Sequence, residues 1–144
     1  MLVQKRGYYL LKAVMFFAFN NKDTFSTKEL SKRLGITEKV LEQVLLSLKN
    51  MGILARKRGP KGGYRLSRDV SGWTVMDILD MAGKKLDVFP VDTGVNGKAI
   101  DDLIKKISSD VEKDIYSRLK EFKVADLVDQ MREKVAEKGL SYVI

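Results

Sequence analysis

The chain has 144 residues, which suits one domain, or a small domain plus an oligomerisation element, and lets it bury most of its unfolded surface without disulfides. It has no Cys and no His, which excludes disulfides, thiol and imidazole nucleophiles, thiolate–zinc sites and cysteine-ligated iron–sulfur clusters. Its charge is divided: residues 1–68 carry 15 Lys and Arg against 4 Asp and Glu, a net of +11, and residues 69–144 carry 12 against 15, a net of −3. The first half therefore suits a polyanionic partner, while the second is nearly balanced.

The N-terminal residues Lys5, Arg6 and Lys12 surround Tyr8-Tyr9-Leu10-Leu11, with neither a small-residue cleavage site nor a long apolar core. No run approaches the 18 or so apolar residues of a membrane span, so the expectation is a cytoplasmic protein with no membrane partner. Tyr9, Leu10, Ala13, Val14, Phe17 and Ala18 recur at core spacing and predict a first helix over residues 7–20. Ser26-Thr27-Lys28-Glu29 reads as a capping box opening a second helix over residues 27–34, which Gly35 stops. Thr37 then caps a third helix, whose Leu41, Val44, Leu45 and Leu48 form one apolar stripe. Two helices joined by a short glycine turn have the spacing of a helix-turn-helix.

Gly52 ends that helix, and two β-type runs follow, Ile53 to Lys57 and Tyr64 to Ser67. Between them lies Arg58-Gly59-Pro60-Lys61-Gly62-Gly63, a six-residue turn rich in Gly and Pro. Arg56, Lys57, Arg58, Lys61, Arg65 and Arg68 make its tip and flanks cationic. A cationic hairpin beside a helix-turn-helix is a wing suited to a phosphate backbone. A nucleotide-phosphate loop is not favoured, because that motif needs Gly-Lys-Ser/Thr opening a helix, whereas Gly62-Gly63-Tyr64 opens a strand.

Thr74 caps a short fourth helix with Val75, Ile78, Leu79 and Ala82 facing inward. Residues 83–97 lack a regular pattern and read as a loop; Leu86, Val88, Phe89 and Val91 make it apolar enough to receive a protein or small-molecule effector. From about Lys98 to Phe122, Ile100, Ile104, Ile107, Val111, Ile115, Leu119 and Phe122 predict one long helix of about seven turns with a single stripe. A chain of this size has little of its own with which to cover such a stripe, so these seven residues are the expected dimer interface. Val124, Leu127, Val128, Met131 and Val135 predict a last helix ended at Gly139, and the apolar tail Leu140-Ser141-Tyr142-Val143-Ile144 is expected to dock. The expected fold is mainly α with a small β-hairpin wing. It divides into a winged helix-turn-helix DNA-binding region (1–82), an effector or partner loop (83–97), and a dimerisation helix with a C-terminal helix (98–144).

Three segments, Lys5-Arg6-Gly7-Tyr8-Tyr9-Leu10-Leu11, Leu41-Glu42-Gln43 and Arg58-Gly59-Pro60-Lys61-Gly62-Gly63-Tyr64-Arg65-Leu66, resemble the Rrf2 family of bacterial winged-helix transcription regulators over nearly the whole chain. That resemblance implies a homodimer binding palindromic operators, often as a repressor. Many members hold a [2Fe-2S] cluster through three Cys and a further ligand in the loop before the long helix. Residues 84–99 contain neither Cys nor His, Tyr8 stands where nitric-oxide-sensing members have a ligating Asp, and Val40 replaces a common Tyr. The chain thus resembles the Cys-free branch, whose best-known kind represses cysteine and sulfur metabolism through a complex with cysteine synthase; no cofactor is expected.

With the buried stripe of the third helix turned inward, Lys39, Gln43, Leu46 and Asn50 point outward. Gln43 suits a bidentate pair with adenine, Lys39 suits guanine or a phosphate, and Val40 suits a thymine methyl. Glu42 either pairs with a nearby cation or disfavours sequences lacking a cytosine amino group there. The candidate double-stranded DNA-binding set is Lys5, Arg6, Tyr9, Ser26, Thr27, Thr37, Lys39, Val40, Glu42, Gln43, Arg56, Arg58, Gly59, Pro60, Lys61, Gly62 and Tyr64. Leu46 receives no role beyond packing against the wing. The acidic pairs Glu38/Glu42 and Asp101-Asp102 read as solvated helix faces, so an enzyme is not expected. The alternative is a protein-interaction regulator controlled by a metabolic enzyme such as cysteine synthase, with DNA binding secondary.

Overall fold

The computed structural model describes residues 5–83, 87–89 and 97–138. In chain order these form α1 (Lys5–Phe19), α2 (Thr27–Leu34), α3 (Glu38–Asn50), β1 (Leu54–Lys57), β2 (Gly63–Leu66), α4 (Val75–Asp80), α5 (Lys98–Leu119) and α6 (Val124–Lys138). The fold is mainly helical with one two-stranded hairpin, as the sequence pattern implies. The expected docking of the tail 140–144 lies outside the described residues, as do 84–86 and 90–96 of the loop.

Helices α2 and α4 begin where a side chain supplies a partner for an orphan amide. The Ser26 hydroxyl accepts from the Glu29 N–H at 3.1 Å, and Gly35 closes α2 in the left-handed conformation at φ 65°. The capping box expected there forms only by half: the Glu29 carboxylate pairs with Arg33 at 3.0 Å, one turn on. A complete box stands instead at α4, where the Thr74 hydroxyl accepts from the Asp77 N–H at 3.2 Å and Asp77 accepts from the Thr74 N–H at 2.8 Å. Thr37 occupies the cap position of α3, but its side chain makes no capping bond.

The core lies among α1, α2 and α3, with the base of the hairpin and one face of α6 closing it. Leu10, Val14, Phe17, Leu30, Leu41, Leu45, Leu48, Ile53, Ile78 and Val124 are fully buried. Phe16, Phe17 and Phe25 meet edge-on, with centroids of Phe16 and Phe25 4.8 Å apart. Lys12 donates to the Leu34 carbonyl, joining α1 to the end of α2.

The strands pair antiparallel from Leu54↔Leu66 to Lys57↔Gly63, one residue earlier in β2 than the alternation suggests. A further bridge was not legible in the sequence: the Phe25 N–H donates to the Tyr64 carbonyl at 2.9 Å, and the Tyr64 N–H returns a bond to Phe25 at 2.8 Å. The wing is therefore tied to the segment that opens α2. Gly63 permits this at φ 154°, because a Cβ there would overlap the Phe25 carbonyl. At the tip, the Gly62 N–H donates to the Gly59 carbonyl at 2.9 Å across Pro60 and Lys61, closing a turn.

The expected single helix over residues 98–122 is shorter. It stops at Leu119, giving 22 residues, roughly 33 Å by rise per residue. Phe122 lies in the turn beyond, with the Arg118 guanidinium 5.2 Å from its ring. There the chain is held by α4's leading edge: the Val75 N–H donates to the Phe122 carbonyl and the Val124 N–H to the Trp73 carbonyl, both at 2.8 Å. That pairing breaks the helix and sends α6 back across α1. Among the described residues, no helix is long and apolar enough to cross a membrane.

Gly63→Ala should lower stability by about 2 kcal/mol or more, because the added methyl breaks both wing-to-core hydrogen bonds. Gly72→Ala, with open space around its Cβ, should stay within about 0.5 kcal/mol of the parent. Urea unfolding of both variants checks this; equal midpoints would contradict the assigned role of the Phe25–Tyr64 bridge.

Candidate nucleic-acid interface

Arg56, Lys57, Arg58 and Lys61 are all exposed, and three of them border a concave surface of roughly 460 Å³ between the wing and the start of α2. Its walls are Ser26, Thr27, Arg56, Lys57, Arg58, Gly59, Gly62, Gly63 and Tyr64. Ser26 and Thr27, at the N-terminal end of α2, line the same place, so fixed cations and a helix-end dipole act on one small volume. An anion the size of a phosphate group is the natural occupant.

Tyr64 enters this description differently from its sequence-based expectation. Its ring is only 6% exposed and belongs to the core, with the Arg56 guanidinium 5.8 Å from its centroid. It aligns Arg56 and pairs with Phe25, and it is not a free surface group. Strand alternation explains this, since buried Tyr64 and its exposed neighbour Arg65 point to opposite faces of the hairpin.

On α3, Lys39, Glu42 and Gln43 are exposed, whereas Leu41, Val44, Leu45 and Leu48 are buried, so the outward face is the one the stripe predicts. Val40 is half-buried and packs against the core, which reduces what it can offer a base. Leu46 is the large apolar group this face exposes, at 49%. The α1 terminus is joined to this helix: Arg6 donates to the Ser47 hydroxyl at 2.8 Å, and that hydroxyl donates to the Gln43 carbonyl at 3.0 Å. Lys5 stands 5.8 Å from the Tyr9 ring centroid and Lys12 5.5 Å from that of Tyr8. Lys5 and Arg6 are exposed and Tyr9 is half-buried, so the cationic surface continues from α1 onto α3. Ser26 and Thr27 are half-buried, and Thr37 is exposed.

The long helix carries six of the seven expected interface residues, in two sets; the seventh, Phe122, lies beyond it and is 39% exposed. Ile100, Ile107 and Val111 are exposed, Ile100 at 64%, while Ile104, Ile115 and Leu119 are half-buried. Leu103, passed over in the sequence, is also 64% exposed and completes the open line Ile100, Leu103, Ile107, Val111. The spacing of three and four residues places those four on one face.

A second contact fixes α5. Ser108, the buried polar side chain among the described residues, donates to Glu112 at 2.8 Å and accepts from the Phe89 N–H at 3.3 Å. Glu112 also accepts from the Val88 N–H at 3.3 Å. This pair holds residues 88–89 against the long helix.

The sequence profile of the Rrf2 family, described as an iron-dependent transcriptional regulator, matches residues 3–130. The IscR transcriptional regulator of Cereibacter sphaeroides is 26% identical over 152 residues, covering 100% of this chain and 98% of that protein. The IscR of Photobacterium profundum is 31% identical over 100 residues, 69% of this chain and 56% of that protein, so the alignment spans about half the relative's length. Among solved structures, T. potens IscR superposes with a TM-score of 0.72 at 25% identity, covering 93% of this chain and 90% of that one. CymR, the global cysteine regulator of B. subtilis, superposes with a TM-score of 0.66 over 90% of this chain and 98% of its own; at 23% identity this shows the shared fold.

An iron–sulfur cluster does not fit the donors present. The chain has no Cys and no His, and among the described residues no group of three or more potential ligands could hold a metal ion. Carboxylates alone are hard oxygen donors and poor partners for an iron–sulfur cluster. Ser108 and Glu112 hold the described part of the loop before α5 by hydrogen bonds. The match over most of the chain, the winged helix-turn-helix and its cationic face place this protein in the Rrf2 family of DNA-binding transcriptional regulators.

Proposed function

We propose that the protein acts in the cytoplasm as a homodimer that reads a palindromic operator and represses transcription by occupying it, with no iron–sulfur cluster. The observation that carries this reading is the cationic cleft joining the wing to α2, beside the exposed face of α3. In it Arg58 and the amides of Ser26 and Thr27 hold phosphates, with Lys61 at the wing tip beside them, while α3 enters the major groove from its N-terminal end. Lys39 and Gln43 then meet base edges, and Glu42 disfavours sites without a cytosine amino group. Lys5, Arg6 and Tyr9 extend the backbone contact on the α1 side. The open line on α5, with Leu103 added to Ile100, Ile107 and Val111, joins two protomers and so spaces two half-sites.

Regulation falls to a protein or small molecule acting at the loop between α4 and α5, where Phe89 is 49% exposed and the adjoining backbone is held by Ser108 and Glu112. Such an effector changes DNA affinity only as far as it distinguishes between two half-site spacings. A metabolic enzyme such as cysteine synthase is one partner of the kind this architecture suits.

Gln43→Ala should loosen preference at one base position per half-site by about 1–3 kcal/mol, whereas Arg58→Ala should weaken all duplexes nearly alike and flatten the salt dependence. Selection from random duplexes at two salt concentrations, run on both variants, decides this. A changed base preference from Arg58→Ala alone would reverse the two roles.

Ile107→Asp combined with Val111→Asp should give monomers, because it places two carboxylates in an apolar seam, and operator affinity should drop with the loss of paired half-sites. Sedimentation velocity reads the outcome directly. An intact dimer in the double variant would move the interface off this line.

A further inference from the structure

The exposed face of α3 contains one group that base pairing and phosphate contact do not use. At 100° per residue, Lys39, Gln43, Leu46 and Asn50 fall within about 60° of one another around the helix, opposite the buried stripe. Leu46 lies one turn beyond Gln43, about 4.5 Å along the axis. It is 49% exposed, although Leu41, Leu45 and Leu48 on the same helix are buried. Single exposed leucines are ordinary on protein surfaces. This one differs in its neighbours, since Lys39, Gln43 and Lys49 share its side of α3 and Arg6 reaches across to Ser47 beside it.

We infer that Leu46 is a specificity-determining residue that reads the C5-methyl group of a thymine in the major groove. The inference rests on the DNA-reading role of α3 and deepens it. The charge around Leu46 argues against an apolar protein surface as its occupant and for a polyanion. The thymine methyl is the apolar feature that a polyanion's major groove presents. Val40 does not serve, because it is half-buried and packs against the core. Contact with Leu46 removes water from the methyl and from the side chain together, so the discrimination is worth about one buried methyl, roughly fourfold in affinity. Gln43 supplies hydrogen bonds and Leu46 supplies shape at an adjoining base pair.

The test uses the full-length protein and a duplex selected by it from random sequence. Each thymine of a half-site is replaced singly by deoxyuridine, which removes the methyl and keeps every hydrogen-bonding group. The parent protein should lose about fourfold in affinity at one such position, and Leu46→Ala should show no loss there. Val40→Ala should keep the loss, and the melting temperature of Leu46→Ala should match the parent because its side chain is exposed. Indifference of the parent to every deoxyuridine replacement, with tight binding retained, would overturn the role of Leu46 while leaving DNA reading by α3 intact. A full penalty retained by Leu46→Ala would do the same. Failure of the parent to select any sequence would overturn both readings.

Discussion

Two backbone hydrogen bonds between Phe25 and Tyr64 decide how this molecule presents itself to a partner. They attach the middle of β2 to the residue before the α2 cap, so the wing cannot swing independently of the helices. An isolated two-stranded hairpin is marginal in water, and the bridge to Phe25 supplies what it lacks. The cations at the tip gain fixed positions in consequence. Gly63 is the sequence requirement behind this arrangement, because any side chain there would occupy the Phe25 carbonyl. Phe25 itself is anchored by Phe16 and Phe17, which makes the aromatic core of α1 the base on which the wing stands.

The same reasoning applied to α5 separates what it is fixed to from what it leaves open. Its far end is held where Val75 and Val124 pair with the backbone of Phe122 and Trp73. Its middle is held by Ser108 and Glu112 to residues 88–89. The line through Ile100, Leu103, Ile107 and Val111 remains uncovered, an apolar surface on a helix that is otherwise charged. The family is described as iron-dependent, whereas this chain has no Cys and joins residues 88–89 to α5 by hydrogen bonds.

Much of this was legible in the sequence because particular residues act as punctuation. Ser26 and Gly35 bound α2 at the residues where they stand, since a hydroxyl before the first turn and a left-handed glycine after the last have few alternative uses. The wing was legible from Arg58 to Gly62 for the same reason. The failures have equally local causes. Glu29 had a competing partner in Arg33, so it left the capping box half made. Periodicity finds an apolar stripe but not which edge of it a neighbour covers, so Leu103 was missed and Ile104 was grouped with Ile107. Val40 and Tyr64 were assigned to the surface by motif, whereas packing placed one half in and the other fully in the core. Ser108 could not be found at all, because the contact that buries it, with the Phe89 amide, lies 19 positions away in the chain.

The central claim is that α3 and the wing form one rigid reading surface. Amide hydrogen exchange of the protein, with and without a duplex it has selected, tests that claim most directly. The account predicts slowed exchange over residues 39–46 and 56–63 together, with residues 124–138 of α6 unchanged. Protection confined to α5 and residues 87–89, or none on either α3 or the wing, would contradict it.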